Sequence, residues 1–149
     1  MKRISTAIAF FLLAANGWAQ QKQVVNTPDA PKTIGHYSQA IKSGGFVFAS
    51  GQIPLDPSTG QIVGNDSATQ ADSVLKNLQA VLRSSGAGLE NVVKTTVYLK
   101  SISDLSAVNE VYGRYSKNNP PVRSTVQVAN LPKDALIEIE AIAVVPFSH

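Results

Sequence analysis

The chain contains no cysteine. A disulfide framework, a thiolate metal site and a cysteine nucleophile are therefore all excluded. Histidine is nearly as scarce, because His36 and His149 are its only examples and their separation matches no metal-ligand spacing. Charge is thin as well, at 15% of residues with a formal net charge of +3. Two of the positive charges, Lys2 and Arg3, fall in a leader that we expect to be removed, which leaves +1 on the remainder. Nucleic-acid binding needs clustered basic residues, so a nucleic-acid partner is not expected. No apolar run approaches the roughly 20 residues that cross a bilayer, so no stable membrane association is expected either.

What the chain does have is 149 residues with 44% hydrophobic content. That suffices for one compact domain with a core, and not for two. Residues 1–19 carry the features of a secretory signal peptide: Lys2 and Arg3, a short apolar stretch from Ala7 to Ala15, and Gly17 and Ala19 as small residues before Gln20. The expected division is a leader over 1–19 and one domain over 20–149, with the mature protein periplasmic or secreted.

Residues 119–140 organise the rest. Period-two alternation marks two half-buried strands on either side of a turn-rich segment, Asn130 to Asp134. In the first strand Val122, Ser124, Val126 and Val128 share one face, while Arg123 and Thr125 share the other. In the second, Ile137, Ile139 and Ala141 oppose Glu138 and Glu140. Charges on strands are unusual unless a partner meets them, although a solvent-facing sheet would also tolerate them. A simple hairpin would set Arg123 against about Ile142 and Glu138 against about Gln127, too far apart for a shared site at about 3.3 Å per residue. A common site needs either an intervening strand or a neighbouring subunit.

Upstream, 20–32 reads as a linker or edge strand, Gly44-Gly45 as a turn and Phe46 to Ser50 as a strand. Gly51 directly after that strand signals a bulge or a close backbone approach. Asp56 to Gly60 is a further turn. Asp66 is a plausible cap for a helix whose stripe is Ala71, Val74, Leu75, Leu78, Val81 and Leu82, with Gly86 as its stop. Asn91 to Lys100 reads as a strand with Val93, Thr95, Val97 and Leu99 on one face and Lys94, Thr96 and Tyr98 on the other. Ser103 is expected to cap a second helix burying Leu105, Val108, Tyr112 and Tyr115, which Pro120-Pro121 stops. On pattern alone Asn109 faces solvent and Tyr37 is a half-buried loop tyrosine. The order β-α-β-α-β-β predicts an α+β fold, a mixed sheet with both helices on one face. An apolar face left bare in a monomer makes oligomerisation the natural remedy.

Four short stretches carry a resemblance. Pro121-Val122-Arg123-Ser124, Leu131-Pro132-Lys133-Asp134, Ile137-Glu138-Ile139-Glu140-Ala141 and Ser50-Gly51-Gln52-Ile53-Pro54 resemble the signatures of the Rid family, the YjgF-type reactive intermediate deaminases. Gly35-His36-Tyr37-Ser38-Gln39-Ala40 is similar to a further family segment in which proline is usual where His36 stands. The resemblance implies a chorismate-mutase-like homotrimer with clefts at the subunit boundaries. It also implies an enzyme that hydrolyses 2-imino and enamine acids, such as 2-aminoacrylate and 2-iminobutyrate, to 2-keto acids and ammonia without metal or cofactor. Arg123 would hold the substrate carboxylate with the Gly51 N–H, and Glu138 would activate water. Tyr37 and Asn109 would line the cleft, and Thr125, where many members carry cysteine, would contribute through its backbone. A non-catalytic trimer that binds small ligands or exposed apolar surface is the alternative; a ribonuclease fits the near-neutral charge least well.

Overall fold

The computed structural model describes residues 21–146, so the leader expected over 1–19 lies outside the described residues, as does His149. Six strands and two helices follow in the order β1 (Gln23–Val25), β2 (Ala40–Ser43), β3 (Phe46–Gln52), α1 (Ser67–Ser84), β4 (Val92–Leu99), α2 (Leu105–Tyr115), β5 (Val122–Gln127) and β6 (Ile137–Val144). They form one mixed sheet ordered β1-β2-β3-β6-β4-β5. Both helices cover one face, α1 lying over β3 and β6 and beside α2. The expected α+β architecture is what the chain adopts.

Local signals account for much of this. Gly44 and Gly45, with φ of 59° and 80°, make the two-residue turn that pairs Ser43 with Phe46, as a hairpin with both central residues left-handed requires. The Asp66 carboxylate accepts the Thr69 N–H at 2.8 Å and caps α1. At the other end Gly86, at φ 82°, allows its own N–H to reach the Arg83 carbonyl and the Ala87 N–H to reach Leu82, both at 3.0 Å. That is the Schellman closure. All six residues of the expected α1 stripe are buried, against Val47, Ile137, Ile139, Ala141 and Ala143 of the sheet.

Three expectations change. Ser101, not Ser103, accepts the first turn's N–H, because a 3-10 turn at Ile102–Asp104 precedes α2. Val93 does not join Thr95 on the core face: a bulge between Val92 and Lys94 turns it outward, and it is exposed. β5 is not half-buried either. It is the sheet's edge, and Val122 is 68% exposed.

Buried amides tie the loops to this frame. The Asn77 side chain on α1 donates to the Ile53 and Leu55 carbonyls at 3.2 and 2.9 Å. Gln70 donates to Gly64 at 3.0 Å and accepts from the Leu136 N–H at 2.8 Å. Gln39 accepts from Thr27 at 2.6 Å and donates to Pro31 at 2.9 Å, pinning the N-terminal strap. Such bonds carry backbone groups that would otherwise be buried without partners.

Among the described residues no element covers the second sheet face. Across all six strands one row on that face reads Val24, Ile41, Phe48, Ile142, Lys94 and Val122. Phe46, Phe48, Val126 and Val144 on the same face are also exposed. Among the described residues no helix is long and apolar enough to cross a membrane.

Candidate active site

The strand order decides where the candidate residues go. β4 intervenes between β5 and β6, parallel to the first and antiparallel to the second. Arg123 therefore sits level with Thr95, and Glu138 level with Tyr98, three residues further along β4. At about 4.8 Å per strand and 3.3 Å per residue their Cα atoms lie roughly 14 Å apart. They also project to opposite faces. Thr95 is buried under the helices, whereas Glu138, Glu140 and Ile142 stand on the uncovered face. The intervening strand exists, yet within one chain it separates the two groups.

Glu138 occupies the first of two half-sites. Between Ala49 and Gln52 the β3–β6 register slips, and Gly51 sits in that bulge. The Glu138 side chain lies directly across Gly51: a Cβ there would come within 2.7 Å of Glu138 Cδ and 2.9 Å of Cγ. Glycine leaves the room that this carboxylate occupies, and a side chain there would force it to shift. Gly51 shares a cavity wall with Tyr37, Ile34, Gln39 and Ile53, which sets Tyr37 beside Gly51. The tyrosine is 49% exposed, packs on Gly35, and its hydroxyl accepts the Ile34 N–H at 3.3 Å. His36, where proline is usual, is exposed beside it.

Burial pushes the Glu138 carboxyl above the ordinary glutamate range, and the charge of Glu140 on the same face pushes it further. Tyr98, the cross-strand partner of Glu138, is likewise raised, first by burial and then by the Glu140 charge. Two carboxylates and a phenol thus share the uncovered face, with no cation bridging the two carboxylates among the described residues.

The second half-site surrounds Arg123. Its guanidinium donates to Asn109 Oδ1 at 2.8 Å and lies over the Tyr112 ring, with Cζ 4.9 Å from the centroid. Asn109 thus turns toward β5 from the exposed side of α2, meeting the arginine that pattern alone did not connect to it. Thr125 is half-buried next to Val97 on the same side of the strand. Among the described residues no carboxylate pairs with Arg123; the ion pairs are Lys76–Asp72 and Lys100–Asp134. Nor do the described residues bring together three metal-ligating side chains. Local spacing marks Tyr112 as a core residue alone, and its contact with Arg123 leaves no signal there.

The family model described as Endoribonuclease L-PSP matches residues 27–145. A RutC family protein of Pyrococcus horikoshii is 53% identical over 122 residues, covering 82% of this chain and 97% of the relative. The human 2-iminobutanoate/2-iminopropanoate deaminase is 47% identical over 123 residues, covering 83% of this chain and 90% of its own length. Among solved structures, Escherichia coli TdcF with bound serine is 42% identical with a TM-score of 0.79, covering 83% of this chain and 98% of that one. A fold of this kind with these signatures defines a Rid-type domain, and the chain belongs to the Rid (YjgF, L-PSP) family.

Glu138 should titrate above a free glutamate, as carboxyl-carbon NMR would show. Glu140→Gln should lower that midpoint without normalising it, because burial remains the larger cause. The folded state holds this proton more tightly than the unfolded chain, so stability falls as pH rises from the unfolded to the folded value. Glu138→Gln should therefore melt higher than wild type at neutral pH and converge with it in acid. A midpoint at or below that of free glutamate would contradict this geometry.

Proposed function

We propose that the protein hydrolyses small 2-imino acids, including those formed from enamines such as 2-aminoacrylate, to the 2-keto acid and ammonia. The observation that carries this reading is Arg123. Among the described residues it is held by neutral partners only, Asn109 and Tyr112, and it keeps its charge available for an anion that those residues do not supply. A guanidinium fork matches a substrate carboxylate bidentately, and the Gly51 N–H is proposed as a further donor to it. The name of the human relative and the serine bound to TdcF support a ligand of this size and class.

The chemistry follows from Glu138. As the carboxylate it takes a proton from water while the oxygen bonds to the imine carbon, and it passes that proton to the nitrogen, giving a neutral tetrahedral aminoalcohol. It then carries the hydroxyl proton to the nitrogen; the C–N bond breaks, ammonia leaves and the keto group forms. A carboxyl whose pKa burial has raised suits both directions of that transfer. None of these proton transfers needs a group beyond the chain's own residues.

Because one chain holds Arg123 and Glu138 on opposite faces, the site is proposed to form between copies. The uncovered row from Val24 to Val122 is the surface that such an assembly would cover, and a homotrimer is the proposed form. Residues 1–19 are proposed as a cleaved export signal. Protein recovered from its native host should begin near Gln20; a chain still starting at Met1 would contradict export.

Arg123→Ala should lose one charge-assisted bidentate contact, about 2–4 kcal/mol or roughly 30- to 1000-fold in kcat/KM, with little change in melting temperature. Glu138→Gln should keep affinity for the keto-acid product and lose kcat. Freshly generated 2-iminobutyrate with a semicarbazide trap gives the assay. Wild-type rates in Arg123→Ala, or binding of imino acids without hydrolysis by the intact protein, would overturn this function in favour of a ligand-binding trimer.

A further inference from the structure

We propose that Tyr112 is a positioning residue for Arg123, its ring serving as the platform that sets the direction of the guanidinium. Arg123 stands on the edge strand, where little else restrains a long side chain, and its own backbone neighbourhood is exposed. Two contacts aim it, and both come from α2. Asn109 and Tyr112 are three residues apart and so share a helix face. Asn109 fixes one guanidinium nitrogen at 2.8 Å, and the Tyr112 ring supports the plane 4.9 Å from Cζ.

The ring itself is held from behind. The Tyr112 hydroxyl shares a 2.9 Å hydrogen bond with Thr95 Oγ1, and Thr95 is 1% exposed. Thr95 is also the cross-strand partner of Arg123. Strand pairing, a buried hydroxyl pair and a cation–π contact therefore close a loop through Thr95, Tyr112 and Arg123. The hydroxyl anchors and the ring presents a negative face to the cation. Its consequence for turnover rests on the function proposed above; its geometry does not.

The division of labour predicts which substitutions matter. Tyr112→Leu removes the ring and should raise KM for 2-iminobutyrate about ten-fold, with a smaller change in kcat. Tyr112→Phe combined with Thr95→Val restores the ring and leaves no buried hydroxyl unpaired, so it should recover most of that loss. In an Arg123→Ala background Tyr112→Leu should add almost nothing to KM, whereas a purely structural tyrosine would add its full effect there. A readout independent of activity is the proton spectrum of the Arg123 guanidinium. In the wild-type protein its resonances should be shifted upfield by the ring current, and Tyr112→Leu should abolish the shift. Unshifted wild-type resonances, or an equal KM penalty in both backgrounds, would overturn the proposal. A wild-type protein that shows the shift but hydrolyses no imine would overturn the functional reading and leave the positioning role supported.

Discussion

The placement of β4 between β5 and β6 is the constraint from which the other features of the site follow. Hydrogen bonding on both sides of β4 sets Arg123 against Thr95 and Glu138 against Tyr98. Side chains three positions apart on a pleated sheet face opposite ways. The cation therefore projects to the helix side of the exposed edge strand, and the carboxylate to the bare face. Neither can neutralise the other within a chain. The separation keeps both groups chemically available, at the cost of leaving each without a partner of opposite charge.

Each half-site manages that cost differently. In Glu138 the cost shows as a carboxyl raised by burial and then by the Glu140 charge, so it gives up its proton less readily than a free glutamate. Gly51 makes room for the carboxylate in this position, since a side chain at that bulge would force it to move. Arg123 cannot neutralise itself in this way. It stays at the exposed edge and takes an amide oxygen and an aromatic face in place of an acid. A structural arginine of the ordinary kind would sit beside Asp or Glu, as Lys76 sits beside Asp72.

Helix α1 was legible from end to end because its signals are local: Asp66, the apolar stripe and Gly86 act within a few residues of one another. The Gly44-Gly45 turn and the bulge at Gly51 were legible for the same reason. The short strand β2 was not, since Ala40 to Ser43 offers too brief a pattern. Nor could spacing show the bulge that rotates Val93 or the insertion of β6 between β3 and β4, which depend on pairing with distant strands. The signature residues of the candidate site were readable as residue types. Their arrangement was not: Gly51 beneath Glu138 is a contact across 87 positions, and Asn109 and Tyr112 meet Arg123 only after α2 folds back over β5. The same holds for Asn77 and Gln70, whose partners are backbone groups far along the chain.

If Arg123 and Glu138 serve one reaction, they do so from different copies of the chain. Two defective proteins should then repair each other. Arg123→Ala and Glu138→Gln subunits, unfolded and refolded together, would assort at random around a cyclic assembly, so about one boundary in four joins an intact arginine to an intact glutamate. The mixture should recover imine hydrolysis approaching a quarter of the wild-type rate, although each parent alone stays nearly inactive. Subunit exchange demonstrated by mass-tagged chains, with no recovery of activity, would contradict a site shared between copies.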